Sequence, residues 1–179
     1  FDVEVYLDVD QLRYDIASLL FPDRTFPSSA LIVMGQRFLE GGYTTRLNDI
    51  GYSMLTQLFA DTGFSVMSQS ELDRVFSHDD LVRCLRGGHI EAARFARSLQ
   101  MDIAVVGEVR TGEVDEDNGK INAIAEVLVV RAADGLLLDR LQGEAIVSGN
   151  DVDAASRMAA EDAVYKIQRR VLVAAAIGV

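Results

Sequence analysis

The sequence is poor in the residues that cross-link or interrupt a fold. Its 179 residues include one cysteine, Cys84, two prolines and no tryptophan. Because a lone cysteine cannot form a disulfide within the chain, the fold must be stable without one. Hydrophobic residues make up 49% of the chain and charged residues 25%, which is enough apolar surface for a sizeable core and unlike a disordered chain.

Long hydrophobic runs and an excess of positive charge are also missing. The longest apolar candidate, Val171 to Val179, is far shorter than the roughly 18 to 20 residues that a transmembrane helix needs. The 28 acidic residues outnumber the 17 basic ones, so the net charge of −11 would repel a nucleic-acid backbone. We therefore expect no membrane span in this chain and no nucleic-acid partner.

The first residues alternate between apolar and mostly acidic side chains, a period of two that predicts a strand. Apolar residues at helical spacing follow, and Pro22 and Pro27 then mark a connector. We predict that residues 1–28 form an N-terminal arm that adds to a neighbour's sheet edge. The possible partner contacts on its strand are Phe1, Val3, Val5 and Leu7.

The chain starts within this strand pattern and without a methionine. We therefore expect that further sequence precedes residue 1, with room for a signal peptide or a lipid-attachment cysteine.

Residues 29–179 are predicted to form a single α/β domain. The apolar run from Ala30 to Met34 is typical of a strand that is covered on both faces. Thr44 or Thr45 is predicted to cap the amphipathic helix that follows, and Gly63 to end that helix in the left-handed conformation.

Three short helices are predicted to follow a brief strand at residues 64–68. Ser70 is the expected cap of the first and Ser77 that of the second, which Gly87-Gly88 ends. The third is expected to run from about Ile90 to Gln100, with alanines and a phenylalanine on one side.

The C-terminal half changes to consecutive strands with short turns, which predicts an antiparallel meander. The predicted strands are Asp102 to Val109, Ile121 to Arg131 and Leu136 to Ser148. The first is apolar on both faces and is expected at the centre of the sheet, whereas the last exposes polar side chains and is expected nearer an edge. The polar residues of this last strand are further possible partner contacts: Arg140, Gln142 and Glu144.

A long final helix is predicted, capped by Asp151 or Asn150 and carrying a stripe of small residues suited to packing on a sheet. The expected fold class is therefore α/β (α+β), with a mixed sheet, a C-terminal antiparallel meander and helices packed on it.

Residues that could carry chemistry are few and lack the required spacing. His78, Cys84 and His89 form no chelating pair, and the acidic loop from Glu113 to Gly119 lacks the register of a calcium-binding loop. Gly87-Gly88 has no following lysine with serine or threonine to hold a phosphate, and no serine sits in a nucleophile elbow. We expect no catalytic residue, no metal and no cofactor.

Several passages of the domain follow a shared pattern. Gly63-Phe64-Ser65-Val66 before the short helix Glu71 to Phe76 fits G-F-x-V, and Ala96 to Val109 fits A-x-x-L-x-A-D-x-x-v-x-G-x-v. The further passages are Ala125 to Gly135 and, before the terminal helix, Gly143-Glu144-Ala145. Together they resemble a family of bacterial envelope domains that includes the curli secretion protein CsgG, the N-terminal domain of TolB and the middle domain of FlgT. Met101 departs from the small residue of that pattern, and the long membrane hairpin of the curli channel has no counterpart, so no pore is expected.

The resemblance implies a non-enzymatic structural or assembly subunit of a cell-envelope complex, such as a flagellar basal-body ring or secretion machinery. It implies protein partners, a homo-oligomer and a periplasmic, outer-membrane-associated location. The alternative is a regulatory lipoprotein-type binding module, such as a peptidoglycan synthase activator. An enzyme on an α/β scaffold is the third class, and the resemblance carries over no catalytic residue for it.

Overall fold

The computed structural model describes residues 29–38, 42–47, 49–115, 120–149 and 151–177. Its strands are β1 (Ser29–Phe38), β2 (Gly42–Leu47), β3 (Ser65–Val66), β4 (Ile103–Asp115), β5 (Lys120–Arg131) and β6 (Leu137–Ser148). Its helices are α1 (Asp49–Asp61), α2 (Gln69–Val75), α3 (His78–Arg86), α4 (Gly88–Ser98) and α5 (Val152–Ile177). The predicted N-terminal arm, residues 1–28, lies outside the described residues.

The strands form one mixed sheet in the order β2-β1-β4-β5-β6, and β3 pairs with the start of β1. β1 runs parallel to β4, while β4, β5 and β6 form an antiparallel meander. The predicted fold class is confirmed. β4 lies at the centre of the sheet and β6 at one edge, as their apolar and polar patterns predicted.

Helices cover the two faces of this sheet differently. α1 and α5 pack on one face, which we call the α5 face, where a Cβ added at Gly143 would lie 2.2 Å from the carbonyl oxygen of Ala163. α3 and α4 pack on the opposite face, which we call the α3/α4 face, where Gly35 lies beneath Leu85. The core between these layers is apolar, and Ala30 to Met34 are fully or almost fully buried in it.

One expectation near the start of the domain is wrong. Residues 42–47 form the strand β2, antiparallel to β1, and the helix that Thr44 or Thr45 was expected to cap begins only at Asp49. The sequence Tyr43-Thr44-Thr45 is aromatic and β-branched, and these residue types favour strands. Gly63 does end this region in the left-handed conformation, with a φ of +91°.

The short helices show which serines act as caps. Ser68, rather than the expected Ser70, caps α2 through a reciprocal capping box with Glu71. Ser77 caps α3 in the same way with Asp80, as expected. α3 ends at the C-cap Gly87, and α4 starts immediately at Gly88, two residues earlier than predicted.

Candidate protein interface

The α3/α4 face of the sheet is divided into two halves along its strands. Near the starts of β1 and β4 its side chains are apolar and buried beneath the short helices, and we call this the covered half: Leu31, Val33, Ala104 and Val106. Two residues further along β4 the same face becomes polar, and its side chains are exposed or half-buried. We call this second region the open half: Glu108, Arg110, Asn122, Ile124, Glu126, Arg140, Gln142, Glu144 and Ile146.

Ion pairs organise the middle of the open half. Glu108 and Glu126 are directly opposite each other on β4 and β5, an arrangement of like charges that destabilises a sheet. Arg110 bridges them, with its Nε 3.4 Å from Glu108 and its guanidinium donating to Glu126 at 3.0 Å. One guanidinium therefore offsets the repulsion between two carboxylates and links β4 to β5.

Residues of β6 extend this network to the edge of the sheet. The Nε of Arg140 donates to Glu126 at 2.6 Å, so Glu126 accepts from arginines on both sides. The side-chain amide of Asn122 donates to Glu144 at 3.2 Å. The network thus runs across three strands, from Glu108 to Arg140.

A tight turn fixes where β6 begins. Asp134 accepts from the guanidinium of Arg131 at 2.7 Å and from the backbone N–H of Leu136 at 3.1 Å. These hydrogen bonds, that from Arg131 first, lower the pKa of Asp134 to about 2. The carboxylate is therefore charged throughout the neutral range and holds the turn that sets the register of β6 on β5.

Three of the sequence-predicted contact residues lie together in the structure. Arg140, Gln142 and Glu144 share the open half on the edge strand β6, as their alternation with buried neighbours indicated. The other four, Phe1, Val3, Val5 and Leu7, lie outside the described residues. Partner contact by all seven remains a prediction.

Sequence reasoning missed the part of the open half that lies on the central strands. The relevant signal is present in β4, where apolar residues on both faces give way to the alternation Glu108-Val109-Arg110. β5 alternates as far as Val129, with Ala123, Ala125 and Val127 fully buried between partly exposed neighbours. These polar positions on β4 and β5 become one surface only when the register that pairs the two strands is known.

Hydroxyl and thiol side chains that could carry chemistry have structural roles. The hydroxyls of Ser68 and Ser77 are hydrogen-bonded to Glu71 and Asp80 in the capping boxes. Cys84 is buried, and burial together with the charge of Glu91 raises the pKa of its thiol to about 12. Within the described ranges no group of three or more His, Cys, Asp or Glu could hold a metal ion, and no helix is long and apolar enough to cross a membrane.

Comparisons with known proteins find likeness in fold alone. No family model and no curated protein matches the chain. The hypothetical protein CT253 from Chlamydia trachomatis is 12% identical over 86% of this chain and 98% of that chain, with a TM-score of 0.54. The C-terminal domain of LpoB from Salmonella enterica is 17% identical over 77% of this chain and 98% of that chain, with a TM-score of 0.46. Lipoprotein GNA1162 from Neisseria meningitidis is 12% identical over 70% of this chain and 86% of that chain, with a TM-score of 0.46.

The resemblance to the family of CsgG, TolB and FlgT is wrong. The similar solved structures include LpoB and GNA1162, which are a different family. The glycines of the resembling passages have general packing roles. Gly63 ends a helix region with a positive φ, and a Cβ at Gly107 would lie 2.3 Å from the carbonyl oxygen of Glu126. A flagellar ring or secretion role loses its basis with this resemblance.

Proposed function

We propose that this chain is a non-enzymatic binding module of the bacterial cell envelope that regulates a protein partner by binding it with the open half of the sheet. The observation that carries this proposal is the ion-paired network from Glu108 to Arg140, on a half-face that the described helices leave accessible.

The composition of the open half suits a protein interface. Arginine is enriched in such interfaces, and Arg110 and Arg140 are held in place by Glu126 before any partner arrives. Ile146 adds an apolar side chain that is 59% exposed, next to the half-buried Ile124. A preorganised polar network beside exposed apolar side chains binds a partner with little ordering cost.

The similar structures agree better with the regulatory lipoprotein-type module than with a flagellar or secretion subunit. GNA1162 is described as a lipoprotein, and the C-terminal domain of LpoB is another of the similar structures. A periplasmic, outer-membrane-associated location is part of our proposal. Fractionation of the producing cells tests it, since recovery of the chain in the cytosolic fraction would contradict this location.

Crosslinking in the producing cells tests the proposed interface. A photoreactive residue replaces Ile146 on the open half or, as the matched control, Met158 on α5, which is similarly exposed at 57%. We expect a crosslinked protein partner from position 146 alone, and loss of that product when Arg110→Glu is added. Equal products from both positions, or none from position 146, would contradict the proposed interface.

The identity of the crosslinked protein, read by mass spectrometry, sharpens the proposal. A peptidoglycan synthase supports the activator alternative, and a product of twice the mass of this chain identifies a second copy instead of a different protein.

A further inference from the structure

The outer side of β6 is the edge at which the sheet ends among the described residues. The N–H of Arg131 on β5 donates to Leu136 O on the β6 side at 2.9 Å. Backbone N–H and C=O groups alternate in direction along an antiparallel strand. In β5 the groups of odd-numbered residues therefore point towards β6, and those of even-numbered residues, including Ile124, point towards β4. The residue that pairs with Ile124 on β6 is Glu144, whose N–H and C=O therefore point away from β5 to the open edge.

A side-chain contact supports this direction. The Nζ of Lys166 on α5 donates to the carbonyl oxygen of Glu144 at 2.8 Å. By the same alternation, the N–H and C=O groups of Arg140 and Gln142 also point to the open edge. This edge therefore presents the backbone groups of three alternate residues to another strand. The N–H of Arg140 donates to the side chain of its neighbour Asp139 at 2.7 Å, a contact that a pairing strand replaces.

The side chains of these residues have a self-complementary order of charge. Arg140, Gln142 and Glu144 lie on one face of β6 at alternate positions. If a second copy of β6 pairs antiparallel about Gln142, each Arg140 lies opposite Glu144 of the other copy, and the two Gln142 residues lie opposite each other. Cross-strand pairs of opposite charge stabilise a sheet, and residues in hydrogen-bonded pairs exchange two backbone hydrogen bonds.

We propose that two copies of this chain form a symmetric dimer by antiparallel pairing of their β6 strands about Gln142. The two-fold axis is perpendicular to the sheet, so the two open halves lie side by side on one continuous surface. A carbonyl oxygen has two lone pairs, so Glu144 can accept from the opposite Arg140 N–H while Lys166 stays bound. The dimer stands independently of the function proposed above.

Charge reversal tests the register, with mass measured by sedimentation equilibrium over a wide concentration range. We expect the full wild-type chain to dimerise, and Arg140→Glu or Glu144→Arg to raise the dissociation constant more than about tenfold, because like charges then lie opposite each other. Mixing the two variants restores every opposite-charge pair, so the mixture is expected to form a heterodimer. A wild-type chain that stays monomeric, or a mixture that associates no better than either variant, would overturn the inference.

A backbone test separates pairing of β6 from contact through side chains. Gln142→Pro removes an N–H that faces the open edge and leaves the hydrogen bonds between β5 and β6 intact. We expect Gln142→Pro to be monomeric and the control Gln142→Ala to dimerise like the wild type, with circular dichroism confirming that both fold. Dimerisation of the proline variant would contradict the strand pairing. Position 146 lies on the pairing strand, so the mass of its crosslinked product separates the two proposals. A product of twice the mass of this chain reports the dimer, and a product with a different protein reports the proposed function, so that either can fail alone.

Discussion

The covered and open halves of the α3/α4 face are built on the same strands yet have opposite character. In β4 the change occurs between Val106, which is 2% exposed beneath the short helices, and Glu108, which is ion-paired at the surface. On the other face of the same strand, Val105 and Val109 on either side of this point are both fully buried. The polar side chains therefore begin on one face only.

This difference follows from the lengths of the covering helices. α5 has 26 residues and packs across β4, β5 and β6, so the α5 face stays apolar along the strands. α3 and α4 have 9 and 11 residues and reach only part of the opposite face. Where a helix of about 1.5 Å rise per residue ends, the sheet beneath it must supply its own polar surface. In this protein that surface is the open half.

The same substitution in the two halves gives the largest expected contrast. Val106→Asn places an amide without a partner in the covered half and is expected to lower the free energy of unfolding by about 3 kcal/mol. Ile146→Asn, at a site that is 59% exposed in the open half, is expected to change it by less than about 0.5 kcal/mol. Urea denaturation measures both, and similar losses would show that the two halves are equally buried.

The α5 face and the α3/α4 face are expected to differ in their tolerance of a methyl group added at a glycine. Gly143→Ala directs its Cβ at the backbone oxygen of Ala163, 2.2 Å away, so α5 must shift, at a cost of about 2 kcal/mol. Gly35→Ala meets the Cδ1 end of Leu85 at 2.7 Å, and this flexible side chain can rotate away. We expect Gly35→Ala to lower the free energy of unfolding by less than about 1 kcal/mol. Part of this loss is offset because alanine lowers the conformational entropy of the unfolded chain. Equal losses by urea denaturation would mean that α3 is held as rigidly as α5.

Much of the fold was predictable because its signals are local. The meander follows from alternation in β5 and β6 and from turn residues between them, and α5 from its cap and small-residue stripe. β2 was mistaken for the start of a helix because threonine serves both as a cap and as a strand former. The parallel neighbours β1 and β4 are about 70 residues apart in sequence, and no local pattern specifies such a pairing.

The candidate interface was predictable only where one strand reveals it. Arg140, Gln142 and Glu144 stand out because β6 alternates cleanly at an edge. Glu108 and Glu126 gain significance only as direct neighbours across two strands, with Arg110 between them. Their contact depends on register, which is set by the tertiary fold and the turn at Asp134.

The ion pairs that distinguish the open half are expected to have the smallest effect on stability. Arg110→Met keeps the apolar stem but leaves Glu108 and Glu126 opposite each other without their bridge, so we expect a loss of about 1 kcal/mol at low salt. Arg157→Met on α5 is the control, because its pair with Glu161 is far more exposed, and its effect should be close to zero. The difference between these variants should shrink as salt screens the charges. A loss at Arg110 that is independent of salt would contradict the proposed bridging of the two carboxylates by its charge.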